Sequence, residues 1–367
     1  MTTLINGKFI RTRFEWLDVL AAESSVVTRL DLKRGISDET YKAIGQKVCD
    51  NKDAFNLAGS YPHNAVIVKT IERLSERGAP DEVIRKLLLD LTSRNTYGTF
   101  CELSAYAFLL EGNHDFDIQA PVTGADILNP NGSDLDGILR LPEEVFFDVK
   151  AFGFHEHLVS LLTERLSAEF EPEVVEADES WDVPVSMLFE LLGRDYQGLK
   201  EELKANRQAR RGAIRFILRA PARVRMTARV VDPELLAEEN ANYAFRFAKQ
   251  FARNKPFFLF FVIHPWISGL SLHVNFGGSV DTFTRSFATR TFSQFRADQS
   301  AVFDMTLGEA SSLLSGIVFI DAWEGEPRHS LPRYRCFLNP FARNKPESSS
   351  VQAFASPYGD AMRVVEL

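Results

Sequence analysis

The stretch Phe257-Phe258-Leu259-Phe260-Phe261-Val262-Ile263 constrains the fold more than any other part of the chain. Seven apolar residues, preceded by Pro256 and followed by His264-Pro265, fall far short of the roughly 20 that a membrane-spanning helix needs. Bounded in this way, the run predicts a buried strand. A second run, Val145 to Phe152, has the same character except for Asp148 and Lys150, and predicts a strand covered on both faces. At 367 residues, 45% of them hydrophobic, the chain can bury the core such strands require without disulfides. Its three cysteines, Cys49, Cys101 and Cys336, are dispersed and odd in number, which fits neither a disulfide framework nor a thiolate zinc site. Met1 to Trp16 lacks the continuous apolar stretch of a secretion signal. A cytoplasmic protein without a membrane partner is expected.

Around these strands the sequence predicts an α/β protein with a mixed central sheet flanked by helices. Helical patterns at Asp38 to Asp50, Ala65 to Arg77 and Pro80 to Ser93 make a helical N-terminal region of residues 1–94. An α/β core follows over 95–331. It starts with a helix at about Phe100 to Glu111 and strands at Phe116 to Pro121, Asp136 to Leu141 and Val145 to Phe152. A helical insertion is expected at about 155–211, then a strand at Ile214 to Arg219, another at Arg223 to Val231, and a helix from Pro233 to Phe251. After Phe257 to Ile263 a strand is expected at Gly316 to Ala322, and residues 332–367, rich in Pro and Ser, read as an irregular tail. The hexapeptide Phe-Ala-Arg-Asn-Lys-Pro occurs at Phe251 to Pro256 and again at Phe341 to Pro346, with flanks too different to imply a structural repeat.

Charge is unevenly spread. Glu164 to Asp182 holds eight acids against one base, whereas Lys204 to Arg229 holds nine bases and no acid, so the overall sum of −8 says little about partners. Within the basic stretch, strand alternation would set several of Arg207, Arg210, Arg211, Arg215, Arg219, Arg223 and Arg225 on one face. Such a strip is either a solvated surface or a seat for a polyanion.

The chemistry concentrates at Ser133 to Phe152. If Pro142 to Glu144 closes a hairpin, Leu141 faces Val145, Ile138 faces Asp148 and Asp136 faces Lys150. Period-two alternation then sets Asp136, Asp148 and Lys150 on one face. Two carboxylates about 7 to 8 Å apart on a covered strand pair need compensation, which a shared divalent cation supplies and a plain Asp148–Lys150 salt bridge supplies in part. Glu102 lies in line with Ala105, Tyr106 and Leu109 at helical spacing. It reads either as a third acid of this site or as the far end of a capping box begun by Thr99.

An acid on an early helix, an aspartate on a strand and Asp148-Val149-Lys150 on the next strand resemble the PD-(D/E)XK nuclease superfamily. The motif covers roughly Asn95 to Phe152, and Leu135 stands where that family often has proline. The resemblance implies a restriction-endonuclease-like core and a metal-dependent endonuclease hydrolysing phosphodiester bonds in nucleic acid, above all DNA, to leave 5′-phosphate and 3′-hydroxyl ends. It implies catalytic roles for Glu102, Asp136, Asp148 and Lys150. Mg²⁺ or Mn²⁺ would be held by Asp136, Asp148, the Val149 carbonyl and Glu102, with Lys150 acting on the attacking water. The arginine strip and Lys249 would then hold the nucleic-acid backbone, and pairing of two chains into a homodimer stays open. The alternative reading is a catalytically silent nucleic-acid-binding or assembly protein with the same fold. A two-carboxylate glycosidase has no place for Lys150.

Overall fold

The computed structural model describes residues 3–5, 8–10, 13–33, 61–92, 96–152, 154–179, 185–212, 214–220, 232–263, 276–302, 304–321 and 333–367. The expected helix at Asp38 to Asp50, the expected strand at Arg223 to Val231 and Cys49 lie outside them. The chain divides into two compact units. The first comprises Met1–Ala151, Ala241–Val262 and Thr284–Leu367, and the second comprises Phe152–Asn240 and Ile263–Phe283.

After a short antiparallel strand pair, Thr3–Ile5 with Lys8–Ile10, the first unit continues with helices α1 (Arg13–Glu23), α2 (Ser25–Arg29), α3 (Tyr61–Glu76), α4 (Asp81–Leu91) and α5 (Thr96–Glu111). Helix α4 buries Ile84, Leu87, Leu88 and Leu91, the i, i+3, i+4, i+7 stripe of a helix with one face in the core. Strands β1 (Phe116–Val122), β2 (Ser133–Arg140) and β3 (Glu144–Phe152) follow. The second unit supplies β4 (Val174–Glu179), β5 (Gln208–Arg211) and β6 (Ile214–Arg219). The first unit resumes with β7 (Phe257–Ile263), β8 (Gly316–Asp321), β9 (Tyr334–Leu338) and β10 (Met362–Glu366).

A mixed seven-stranded sheet in the order β10-β9-β8-β7-β3-β2-β1 forms the centre of the first unit. Strand β7 occupies its middle position, and all seven of its residues are buried. Burying each phenylalanine side chain contributes on the order of 1.5–3 kcal/mol. The rings interlock, with Phe147 stacked on Phe260 at 4.8 Å and Phe261 on Phe319 at 5.7 Å. Near their starts β3, β7 and β8 are stitched together by Phe146 N–H donating to Pro256 O and Ser315 N–H donating to Phe257 O.

Three expectations need correction. The C-terminal segment is not irregular: Tyr334–Leu338 and Met362–Glu366 pair in parallel at the sheet edge, and Ser348–Ala355 is helical. Its serines open that helix at Ser348, Ser349 and Ser350, while Cys336, Phe337, Val364 and Val365 carry the strand pattern. The expected helix from Pro233 to Phe251 is two pieces, an α-helix over Pro233–Glu239 and a 3-10 helix over Tyr243–Gln250. The insertion is not wholly helical either. Strands β4, β6 and β5 make a three-stranded antiparallel sheet in that order. It packs with the helices Phe154–Glu169, Val185–Leu192 and Tyr196–Asn206 around Leu162, Leu166, Leu199, Leu203, Ile214 and Phe216. The acid-rich β4 alternates Val175 inward with Glu176 outward, so acidity and strand formation coexist.

Candidate active site

Strands β2 and β3 pair as Arg140↔Glu144, Leu139↔Val145, Ile138↔Phe146 and Gly137↔Phe147. The expected register is therefore wrong by two residues, because Leu141 to Glu143 form the turn and Arg140 closes it through its ion pair to Glu144 at 3.1 Å. A slip of two preserves faces. Asp136, continuing this register, comes opposite Asp148 instead of Lys150, and all three keep the same side of the hairpin.

The paired ladder ends at Gly137↔Phe147, and side chains take over its backbone groups. Asp136 Oδ2 accepts a hydrogen bond from Val149 N–H at 2.6 Å, and Tyr106 Oη donates to the Asp136 carbonyl at 2.8 Å. Val149 enters the site through this N–H. Gly137 is required beside Asp136, since a Cβ there would lie 2.4 Å from both Asp117 O and Phe147 Cζ.

Glu102 sits on α5, which starts at Thr96, so Thr99 and Glu102 lie inside the helix and the capping-box reading falls. Its Oε2 accepts a hydrogen bond from Gln119 Nε2 at 3.1 Å. Ala105, Tyr106 and Leu109 are buried along the same stripe.

Asp148 is 1% exposed, and Lys150 forms an ion pair with its Oδ2. No hydrogen-bond donor of regular geometry reaches that buried oxygen. The Lys150 ammonium also stands 5.0 Å from the centre of the Phe247 ring, on the 3-10 helix whose Tyr243 Oη donates to the Ala151 carbonyl. Burial raises the Asp136 carboxyl well above its ordinary range, and the charges of Asp148 and Glu102 push it further. Burial likewise raises Glu102 to about 7, with Lys150 opposing and Asp148 adding to the rise. Burial pulls Lys150 down, but Asp148, Asp136 and Glu102 outweigh it and hold the ammonium above its usual value. Three carboxylates thus share one ammonium in a low-dielectric setting, and their mutual repulsion is only partly offset.

Glu102, Asp136 and Asp148 carry oxygens of the chemical type that Mg²⁺ or Mn²⁺ takes, and one of them, Asp148 Oδ2, is engaged by the Lys150 ammonium. Among the described residues no three His, Cys, Asp or Glu side chains stand in a ligating arrangement. A cleft of about 420 Å³ in this unit is lined by Lys69, Arg73, Glu111, Asp321 and Arg333 among others, and by none of the four site residues.

The arginine strip belongs to the second unit, where the structure corrects its sequence-level charge. Arg207 pairs with Glu173, Arg219 with Glu176, and Arg211 with both Asp195 and Glu202. Two of these pairs join the acid-rich stretch to the base-rich one. Arg210 and Arg215, cross-strand neighbours on the outer face, bond instead to Gly212 O and the Gln208 side chain. Arg223 and Arg225 lie outside the described residues. Lys249, in the first unit, is exposed.

Sequence reasoning missed Tyr106 and Gln119. Tyr106 was legible, four residues after Glu102 and so on the same helix face. Gln119 carried no signal, because what distinguishes it is its backbone. No protein-family model, curated protein or solved structure matches the chain.

Proposed function

We propose that the protein is a metal-dependent nuclease of the PD-(D/E)XK type, with a restriction-endonuclease-like core, and that DNA is its substrate. One observation carries the reading: Glu102, Asp136 and Asp148, on a helix and two neighbouring strands, lie near enough for their charges to act on one another and on the Lys150 ammonium, which pairs with Asp148. A fold gains nothing from burying like charges together, whereas a phosphodiesterase needs them. Glu102, Asp136 and Asp148 would hold a divalent cation, which when bound polarises a phosphoryl oxygen and lowers the pKa of a water. Asp136 is fixed for this by the Val149 amide. Lys150, kept protonated by its carboxylate neighbours, offsets negative charge developing at phosphorus and orients the attacking water. Phe247 covers the ammonium and limits its hydration. Arg210 and Arg215, with Lys249, are the remaining candidates for phosphate contacts.

The direct Lys150–Asp148 ion pair supports a second reading, a nucleic-acid-binding or assembly protein that has lost hydrolysis. One experiment separates the two. End-labelled DNA and RNA, single- and double-stranded, are incubated with the protein in Mg²⁺, Mn²⁺ or EDTA, alongside Asp148→Ala and Lys150→Ala. Metal-dependent cleavage lost in both variants supports the nuclease. Binding without cleavage supports the silent protein, and cleavage that survives EDTA or either substitution overturns the site.

A further inference from the structure

We propose that Gln119 is a positioning residue of this site, aimed by a left-handed kink inside β1; the inference rests on the metal-dependent reading above. Strands β1 and β2 pair as Phe116↔Leu139, Asp117↔Ile138 and Ile118↔Gly137, then again as Ala120↔Leu135, Pro121↔Asp134 and Val122↔Ser133. The skipped position is Gln119, opposite Asp136. The register is identical on both sides of it, so no residue has been inserted and the distortion is not a bulge. At Gln119 φ is 49°, a conformation that costs a residue with a Cβ roughly 1–2 kcal/mol. A left-handed residue within a strand, directly across from the half-buried Asp136, is strain placed at a site of chemistry.

The side chain shows what the kink achieves. Gln119 Nε2 donates to Glu102 Oε2 at 3.1 Å, and Gln119 Oε1 accepts from Lys86 Nζ at 3.1 Å. The charges of the two partners fix which end of the amide is which. Tyr106, one helical turn beyond Glu102, donates to the Asp136 carbonyl. A neutral amide cannot compensate the site's charge. It can hold the Glu102 carboxylate in one orientation, braced against an ammonium on α4, while Tyr106 holds the Asp136 backbone. Gln119 thereby fixes the helix acid from the strand position opposite Asp136, a role that outer partners of metal-ligating carboxylates commonly fill.

Gln119→Gly tests this, because glycine accepts φ near 50° without strain and lacks only the amide. Gln119→Asn, which tolerates the same backbone but is one methylene shorter, is the second variant should glycine loosen the strand. Mn²⁺ binding to the full chain is measured by titration calorimetry, and DNA cleavage by steady-state kinetics. Both variants are expected to bind Mn²⁺ about 10- to 100-fold more weakly than the wild type, with kcat reduced, KM for DNA unchanged and no loss of melting temperature in Gln119→Gly. Wild-type Mn²⁺ affinity and kcat in Gln119→Gly would overturn the assignment while leaving the nuclease reading intact. A wild-type protein that binds no Mn²⁺ overturns both.

Discussion

Replacing Glu102 by glutamine removes a charge without changing shape, and the structure sets the sign of the result. Burial lifts the Glu102 carboxyl from 4.5 to about 7. Between those two values the folded protein keeps a proton that the unfolded chain has released, so stability falls as pH rises through the window and stays low above it. At about 1.4 kcal/mol per tenfold, that rise corresponds to roughly 3 kcal/mol. Glu102 is partly accessible, and solvent screening lowers the expected figure to about 2 kcal/mol. Glutamine keeps an oxygen for Gln119 Nε2 and carries no such penalty. Urea denaturation in EDTA, followed by circular dichroism at intervals from pH 4.5 to 8, should find the variant equal to the wild type at the acid end and more stable by about 2 kcal/mol at pH 8. Titrating groups that do not interact with Glu102 cancel in the difference. Added Mg²⁺ should stabilise the wild type more than the variant, and the variant should lose cleavage as it gains stability. A variant less stable than the wild type at pH 8, or a difference independent of pH, would refute the view of Glu102 as a repelled, functional carboxylate.

Three further outcomes are expected. Gly137→Ala drives a methyl group against Asp117 O and the Phe147 ring. It should cost about 1–3 kcal/mol in denaturant titrations and reduce cleavage, because the strand that shifts carries Asp136. Burial holds the His114 imidazole down to about 4, against a raising hydrogen bond to the Phe354 backbone. The unfolded chain therefore takes up a proton first, and stability should fall by up to about 3 kcal/mol as pH drops from 6.5 to 4. His114→Phe, which keeps the stack on Phe354, should flatten that slope in the same titration. Substituting both Arg210 and Arg215 by alanine should reduce the salt dependence of DNA binding by about two counterions, whereas Arg207→Ala, whose charge is already engaged by Glu173, should leave it unchanged in filter-binding assays.

The readable part of the molecule was the part that hydrophobic pattern controls. Phe257–Ile263 announced itself as a buried strand because nothing polar interrupts it, and it occupies the middle of the sheet. The face shared by Asp136, Asp148 and Lys150 survived a wrong register because side chains alternate with period two, so an even slip changes neighbours without changing sides. What escaped was set by long-range pairing or by a single backbone angle. The arginines of 204–219 looked like a free basic strip because their carboxylate partners, Glu173 and Glu176 among them, stand 34 and 43 residues away in sequence. Glu102 could not be separated from a cap until the first turn of its helix was placed. At Gln119, no residue type predicts φ of 49° in the middle of a strand.

The twin hexapeptides meet although their flanks differ. Asn344 of the second copy donates from its amide to the carbonyls of Arg253 and Lys255 in the first, at 3.0 and 3.2 Å, and its own carbonyl accepts from Ser315 Oγ, which in turn accepts from Phe257 N–H. The clasp on the entrance to the central strand thus arrives 91 residues after the segment it closes. During synthesis that strand must wait, apolar and unsecured, until the ribosome has delivered its latch.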